Sequence, residues 1–275
     1  MAYATLMVQL ELGHPNAGLL QITANLAKRF DARVIGIATC LPMQMMFTDG
    51  YIAGDIYEQD NTQRQKEIKE TEAEFREALQ NRCKSLQWRS SIRFAPLPEY
   101  VAGEARGADL LIAGVASGEF FDSSRAVNTS DLIMQAGRPV LLVPHTVQRL
   151  ALDQVVVGWK DTRETRRAVS DALPLLKIAG HVTVVEIATQ DEMAAAHQHV
   201  QEVVAWLAQH GVEALCNVVP STGDDAVGLY TVAQDLGAGL IVAGAYGRSR
   251  LVEWALGGVT RDLLLRQDFC ALLSH

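Results

Sequence analysis

Apolar runs of four to eight residues alternate along this chain with longer stretches whose apolar positions fall at helical spacing. Residues 6–10 and 34–39 read as strands buried on both faces, and residues 16–30 between them place Leu19, Leu20, Ile22, Leu26 and Ala27 on one helical face. A helix between two such strands is a βαβ unit, which implies parallel pairing and a right-handed crossover. Residues 41–61 form a long loop rich in Met and aromatics. Its cluster Met43, Met45 and Met46 reads as packing over the sheet edge, with a ligand lid or partner surface as the alternatives. Residues 63–86 predict a charged helix with Ile68, Phe75, Leu79 and Cys83 inward and a solvated outer face. A strand at 91–95, a short helix at 99–106, a strand at 110–113, a helix at 130–136 and a strand at 140–143 complete the series, closed by Pro144.

The pattern then begins again. Strands are expected at 155–157, 182–187, 214–219, 240–243 and 269–273, with helices at 163–179, 192–210, 225–236 and after Thr260. ADLLIAGVASG, starting at Ala108, aligns without a gap on AGLIVAGAYGR, starting at Ala238. Five strands and four helices in each half predict an α/β protein of two tandem copies, residues 1–146 and 152–275.

The two copies differ where chemistry would occur. After strand 240–243, Gly244 and Gly247 open a loop, and Gly257 and Gly258 precede Thr260 and a helix start. Glycine lets the main chain turn with positive φ or approach a ligand closely, and amides at a helix start attract anions. The stretch therefore reads as a phosphate cradle, although it is neither a P-loop nor the GxGxxG fingerprint. In the first copy Gly114 persists, but Ser117 replaces the second glycine and GEFFDSSRAVNTSD contains no glycine pair. That half is expected to have lost the cradle, leaving a scaffold, a partner surface or a different ligand site.

The pattern Gly244-x2-Gly247-x9-Gly257, followed by Thr260, resembles the nucleotide loop of the universal stress protein family. The resemblance covers both copies, strong in the second and eroded in the first. It implies Rossmann-like doubly wound domains, each with a five-stranded parallel sheet in the order 3-2-1-4-5, with a crevice outside the carboxyl ends of strands one and four. That would place Gly158, Lys160 and Asp161 opposite Gly244, Gly247, Arg248 and Arg250. It also implies ATP or another adenine nucleotide, with Mg, as the ligand. Gly258 stands where the family often has Ser, and Lys160 where its nucleotide-binding members usually have an acidic residue. Lys160 either attracts phosphate or blocks the base and ribose pocket. Asp161 either supplies the acidic group or joins Thr162 in capping the next helix, with Glu164 in its first turn. Arg248 and Arg250 are either phosphate partners or solvated loop cations. Tyr246 either covers the base or rests on a helix, and Trp159 and Trp254 are expected to line the crevice walls.

Composition narrows the partners. The net charge of −8 argues against general affinity for nucleic acid or anionic membrane, which needs a basic face, though an acidic protein can still hold ATP in a locally positive loop. Cys40, Cys83, Cys216 and Cys270 form no CxxC pair, and Cys40 and Cys216 read as small buried hydrophobes. The first residues lack the pattern of a signal peptide and no run is long enough for a membrane span, so a cytoplasmic protein is expected. No GxSxG, HExxH or Walker lysine occurs, so at most slow ATP hydrolysis is expected, and His197 and His199, two apart, point different ways on a helix and make a poor metal clamp. The apolar strands 140–143 and 269–273 need covering, by pairing inside the chain as a pseudo-dimer or in a homodimer. Two readings follow: a nucleotide-binding stress-response sensor or regulator, and a non-nucleotide interaction scaffold with an unidentified protein partner.

Overall fold

The first apolar run forms β1, Thr5–Gln9, buried along its whole length. The structure, a computed structural model, describes residues 2–42, 54–94, 96–115, 124–245 and 269–275. Two units divide it, Tyr3–Ala136 and Gly137–His275. After β1 the first unit contains α1 (Ala17–Phe30), β2 (Arg33–Cys40), α2 (Gly54–Leu79), β3 (Leu86–Ile92), α3 (Leu97–Glu104), β4 (Leu110–Gly114) and α4 (Thr129–Ala136). Its strands lie in the order β3-β2-β1-β4, and their pairings are parallel. α1 packs on β1 and β4, α2 packs on β2 and β3, and the two helices also pack directly on one another. Phe75 of α2 is fully buried against Trp88 of β3 and lies where a Cβ at Gly36 would stand.

The second unit contains β5 (Val140–Val143), β6 (Gln154–Trp159), α5 (Arg163–Leu176), β7 (His181–Ala188), α6 (Met193–Gln209), β8 (Ala214–Pro220), α7 (Asp225–Asp235), β9 (Leu240–Gly244) and β10 (Cys270–Ser274). The order β8-β7-β6-β9-β10, parallel throughout, is the expected 3-2-1-4-5. β5, expected as the fifth strand of the first copy, falls within this unit and runs antiparallel to β10, with Leu142 opposite Ala271. Both strands are buried at every residue, so the apolar edge of β10 is covered by main-chain pairing. The helix expected after Thr260 lies outside the described residues.

Three details differ from the sequence reading. α2 spans Gly54–Leu79 instead of 63–86, because Asn81 adopts φ 62°, the left-handed conformation that ends helices. The chain turns over residues 80–85, and β3 then starts at Leu86, pairing with β2 from Val34↔Leu86 to Cys40↔Ile92, so this strand begins earlier than 91. Cys216 is exposed, because β8 is an edge strand with solvated positions, whereas Cys40 is buried as expected.

Candidate functional site

In the second unit the strand order reverses between β6 and β9, where Gly158 lies opposite Ala243. Crossovers leave such a point in opposite directions and open a crevice outside the carboxyl ends. Successive residues of β6 face opposite sides of the sheet. Gly158 faces α7, where an added Cβ would stand 2.7 Å from Leu229 Cδ2. Gly244 faces α5, where a Cβ would stand 2.5 Å from the Thr165 backbone nitrogen. Packing against helices therefore already requires small residues at both positions.

The loop after β6 is polar and internally paired. Lys160 Nζ lies 3.2 Å from Asp225 Oδ2 in the first turn of α7, and both side chains are substantially exposed. Asp161 pairs with Arg166. Thr162, not Asp161, is the N-cap of α5, its hydroxyl accepting a hydrogen bond from Thr165 N at 3.3 Å. Glu164 occupies the first turn and is buried. Burial alone would raise its carboxyl pKa, but the Arg163 hydrogen bond outweighs this and the pKa is lowered. Asp224 caps α7 in the same way, accepting from Ala226 N and Val227 N. Two helix starts thus flank the end of β6, with Lys160 joining its loop to α7. Gly247, Arg248, Arg250, Gly257, Gly258 and Thr260, together with Tyr246 and Trp254, lie outside the described residues, as do Met43, Met45, Met46 and Ser117.

Trp159, which follows Gly158, faces the opposite side of the sheet. α5 packs chiefly on β9 and β10 and α6 on β7 and β8, so a gap remains over β6. A cavity of about 380 Å³ fills it, with Trp159, Val169, Val203 and Trp206 as apolar lining. Asp161, Arg166, His199 and Glu202 supply its polar groups. Trp159 pairs in register with Glu186 on β7, and His199 Nδ1 lies 3.7 Å from Glu186 Oε1. Trp159 Nε1, His199 Nδ1 and Glu186 Oε2 are buried without hydrogen-bond partners. An orphaned buried polar group costs about 1–3 kcal/mol, so three at one place need explanation. Burial raises the Glu186 carboxyl pKa, opposed by His199.

The sequence reading singled out neither Arg166, Asp225 nor Glu186. Asp225 carried a helix-start signal, but nothing local linked it to Lys160, 65 residues away. The sequence marks His199 only as half of a poor metal clamp, and among the described residues no cluster of His, Cys, Asp and Glu could hold a metal ion. In the first unit, Arg64 is buried and bonded to Asp60 Oδ2 at 2.5 Å, and Arg125 Nε donates to Glu67 at 3.0 Å. Among the described residues no helix is long and apolar enough to cross a membrane.

No family model matches the sequence, and no curated protein does. Solved structures do match. A universal stress protein from Archaeoglobus fulgidus superposes with a TM-score of 0.76 at 14% identity, covering 98% of this chain and 95% of its own. A candidate universal stress protein from Pseudomonas aeruginosa gives 0.65 at 15% identity, covering 99% of this chain and 93% of its own. A protein of unknown function from the same species gives 0.63 at 14%, covering 99% and 92%. Along nearly its whole length, this chain carries the fold seen in universal stress proteins.

Proposed function

We propose that the chain is a tandem universal stress protein, a stress-response sensor or regulator, that binds an adenine nucleotide in its C-terminal half. The supporting observation is the switch point between β6 and β9, from which the chain runs directly into the Gly244-x2-Gly247-x9-Gly257 pattern. In this reading Gly247, Gly257, Gly258 and Thr260 offer backbone and hydroxyl donors to the phosphates. Arg248 and Arg250 supply charge-assisted bonds, and Mg shares the phosphate oxygens. Lys160 is the cation already at the crevice. Its exposed pair with Asp225 is of the class worth about 0–1 kcal/mol, so a phosphate can take over the ammonium at little cost. Gly158 and Gly244 shape the crevice through helix packing, and Asp161 is engaged by Arg166.

The Lys160–Asp225 and Asp161–Arg166 pairs also favour a second reading, an interaction scaffold whose crevice is closed by its own ions. Mass spectrometry of ligand released from the purified protein, with calorimetric titration of Mg-ATP and AMP, separates the two. The nucleotide reading expects saturable binding that Gly247→Val abolishes. Absence of released nucleotide, with no heat at millimolar ligand, would leave the scaffold reading standing.

A further inference from the structure

We propose that the cavity between α5 and α6 is a second ligand site, beside the crevice and sharing the Asp161–Arg166 pair with its rim, for a small planar nitrogen heteroaromatic that is neutral or cationic. It does not rest on the nucleotide reading. The repeats supply the first argument. α1 and α2 pack directly on one another, whereas their counterparts α5 and α6 leave about 380 Å³ between them. The space is open to solvent on one side, and its volume lies within the range of small-molecule sites.

The lining decides the chemistry. Trp159 and Trp206 provide flat aromatic surface, and Val169 and Val203 provide apolar walls from facing helices. Trp206 is 38% exposed and stacks on His210 with ring centroids 4.1 Å apart, which places an aromatic surface on the solvent side. Trp159 is only 9% exposed, yet its indole N–H has no acceptor. An indole nitrogen only donates, so the occupant must bring an acceptor. His199, which also lines the cavity, has its Nδ1 without a hydrogen-bond partner, and an imidazole nitrogen can accept from a ligand N–H or donate to a ligand acceptor. A ring carrying both an acceptor nitrogen and an N–H answers both demands on one edge.

Charge then rejects anions. Asp161 and Glu202 face the space, Glu186 stands behind His199, and Arg166 is paired with Asp161. Counting Lys160, which also acts on Glu186, three carboxylates stand against two permanent cations, so a carboxylate or phosphate ligand meets net repulsion. A neutral or protonated heterocycle does not, and tryptophan faces favour cations.

Benzimidazole is a suitable probe, with indole (donor only) and benzoate (anion) as controls. The full chain carrying indole-15N tryptophan is titrated, and its four indole N–H signals are assigned by single Trp→Phe replacements. Benzimidazole should shift the Trp159 and Trp206 signals saturably, with a Kd near or below about 1 mM for a ligand of nine heavy atoms. Trp88, in the other unit, should not move. Benzoate should leave all four in place, and indole should bind at least about tenfold more weakly than benzimidazole. Val203→Trp, from α6, and Val169→Phe, from α5, should each reduce benzimidazole affinity at least about tenfold while the second unit keeps its calorimetric transition and a dispersed Trp159 signal. Excess Mg-ATP should not displace it. The proposal is overturned if neither Trp159 nor Trp206 responds, which would mean that ordered water alone satisfies the orphaned atoms. Equal binding of benzoate, or unchanged affinity in both filled variants, overturns it as well.

Discussion

Replacing Gly244 by alanine tests whether this glycine is kept for packing, before any ligand is considered. The new Cβ would lie 2.5 Å from the Thr165 backbone nitrogen and 2.7 Å from the Glu164 carbonyl carbon. Both atoms belong to the first turn of α5, so relief requires the helix start to move by about 1 Å; no side-chain rotation provides it. Overpacking of this kind costs about 1–3 kcal/mol, and a clash with backbone belongs near about 2–3. For a unit of this size that lowers Tm by about 6–12 °C. Gly158→Ala is the internal control. Its Cβ would meet Leu229 Cδ2 at 2.7 Å, but this is the end of a side chain that can turn aside, so a loss below about 1 kcal/mol is expected. Calorimetric scans without nucleotide should therefore rank wild type, Gly158→Ala and Gly244→Ala in falling order. A Gly244→Ala protein that melts within about 2 °C of wild type, or above Gly158→Ala, would refute the packing account.

Two further expectations concern titration and reactivity. Burial would raise the Glu67 carboxyl, but hydrogen bonds from Arg125 and Gln63 prevail and hold its pKa below the usual range. A lowered carboxylate pKa stabilises the fold fully above the unfolded value of about 4.3, and that contribution is lost as pH falls through the folded value. The stability gap between wild type and Glu67→Gln, read from urea midpoints, should thus be constant near neutrality and shrink below about pH 4; a gap independent of pH contradicts this. Burial also pushes the Cys270 thiol up to about 12 and raises Cys40, whereas Cys216 is exposed. Iodoacetamide at about pH 8 should modify Cys216 first and reach Cys40 and Cys270 only on unfolding, as peptide mass spectrometry would show. Equal rates for Cys216 and Cys270 in the folded protein would disprove the assignment.

Periodicity read this fold well wherever burial is two-sided. Residues 140–143 and 110–113 are apolar because both faces of their strands are covered, and the strands appear there within a residue. The sequence failed where one signal served two elements. Residues 63–86 carry helix-forming charges up to a left-handed Asn81, and only pairing with β2 draws Leu86–Ile92 into a strand. Helix capping was local enough to read, and Thr162 and Glu164 stand as expected. The partners of Lys160 and Trp159 were not, because they come from α7, β7 and α6, and only the fold brings them together. Burial misled in one place: Cys216 lies in an apolar run, yet β8 has no outer neighbour in its unit to cover it.

The energetics of the ion pairs bear on which half can accept an anion. In the first unit Arg64 and Asp60 are 5% and 21% exposed, and Arg125 and Glu67 are 26% and 12% exposed. Drawing a guanidinium from such a pair strands a carboxylate away from water, a loss of about 3–5 kcal/mol when the pair is well buried. A phosphate that recruited either guanidinium would first have to offset that loss. In the second unit Lys160 and Asp225 are 58% and 39% exposed, so each is rehydrated if the other is taken and the exchange costs about 0–1 kcal/mol. The difference, a few kcal/mol, corresponds to two or more orders of magnitude in affinity at about 1.4 kcal/mol per tenfold. On the nucleotide reading proposed above, the retained ion pairs add to the missing glycines as an obstacle to an anion in the first half. Glycines restored at its loop would supply free amides yet leave Arg64 and Arg125 engaged, so loop repair alone is not expected to give the first copy the second copy's affinity.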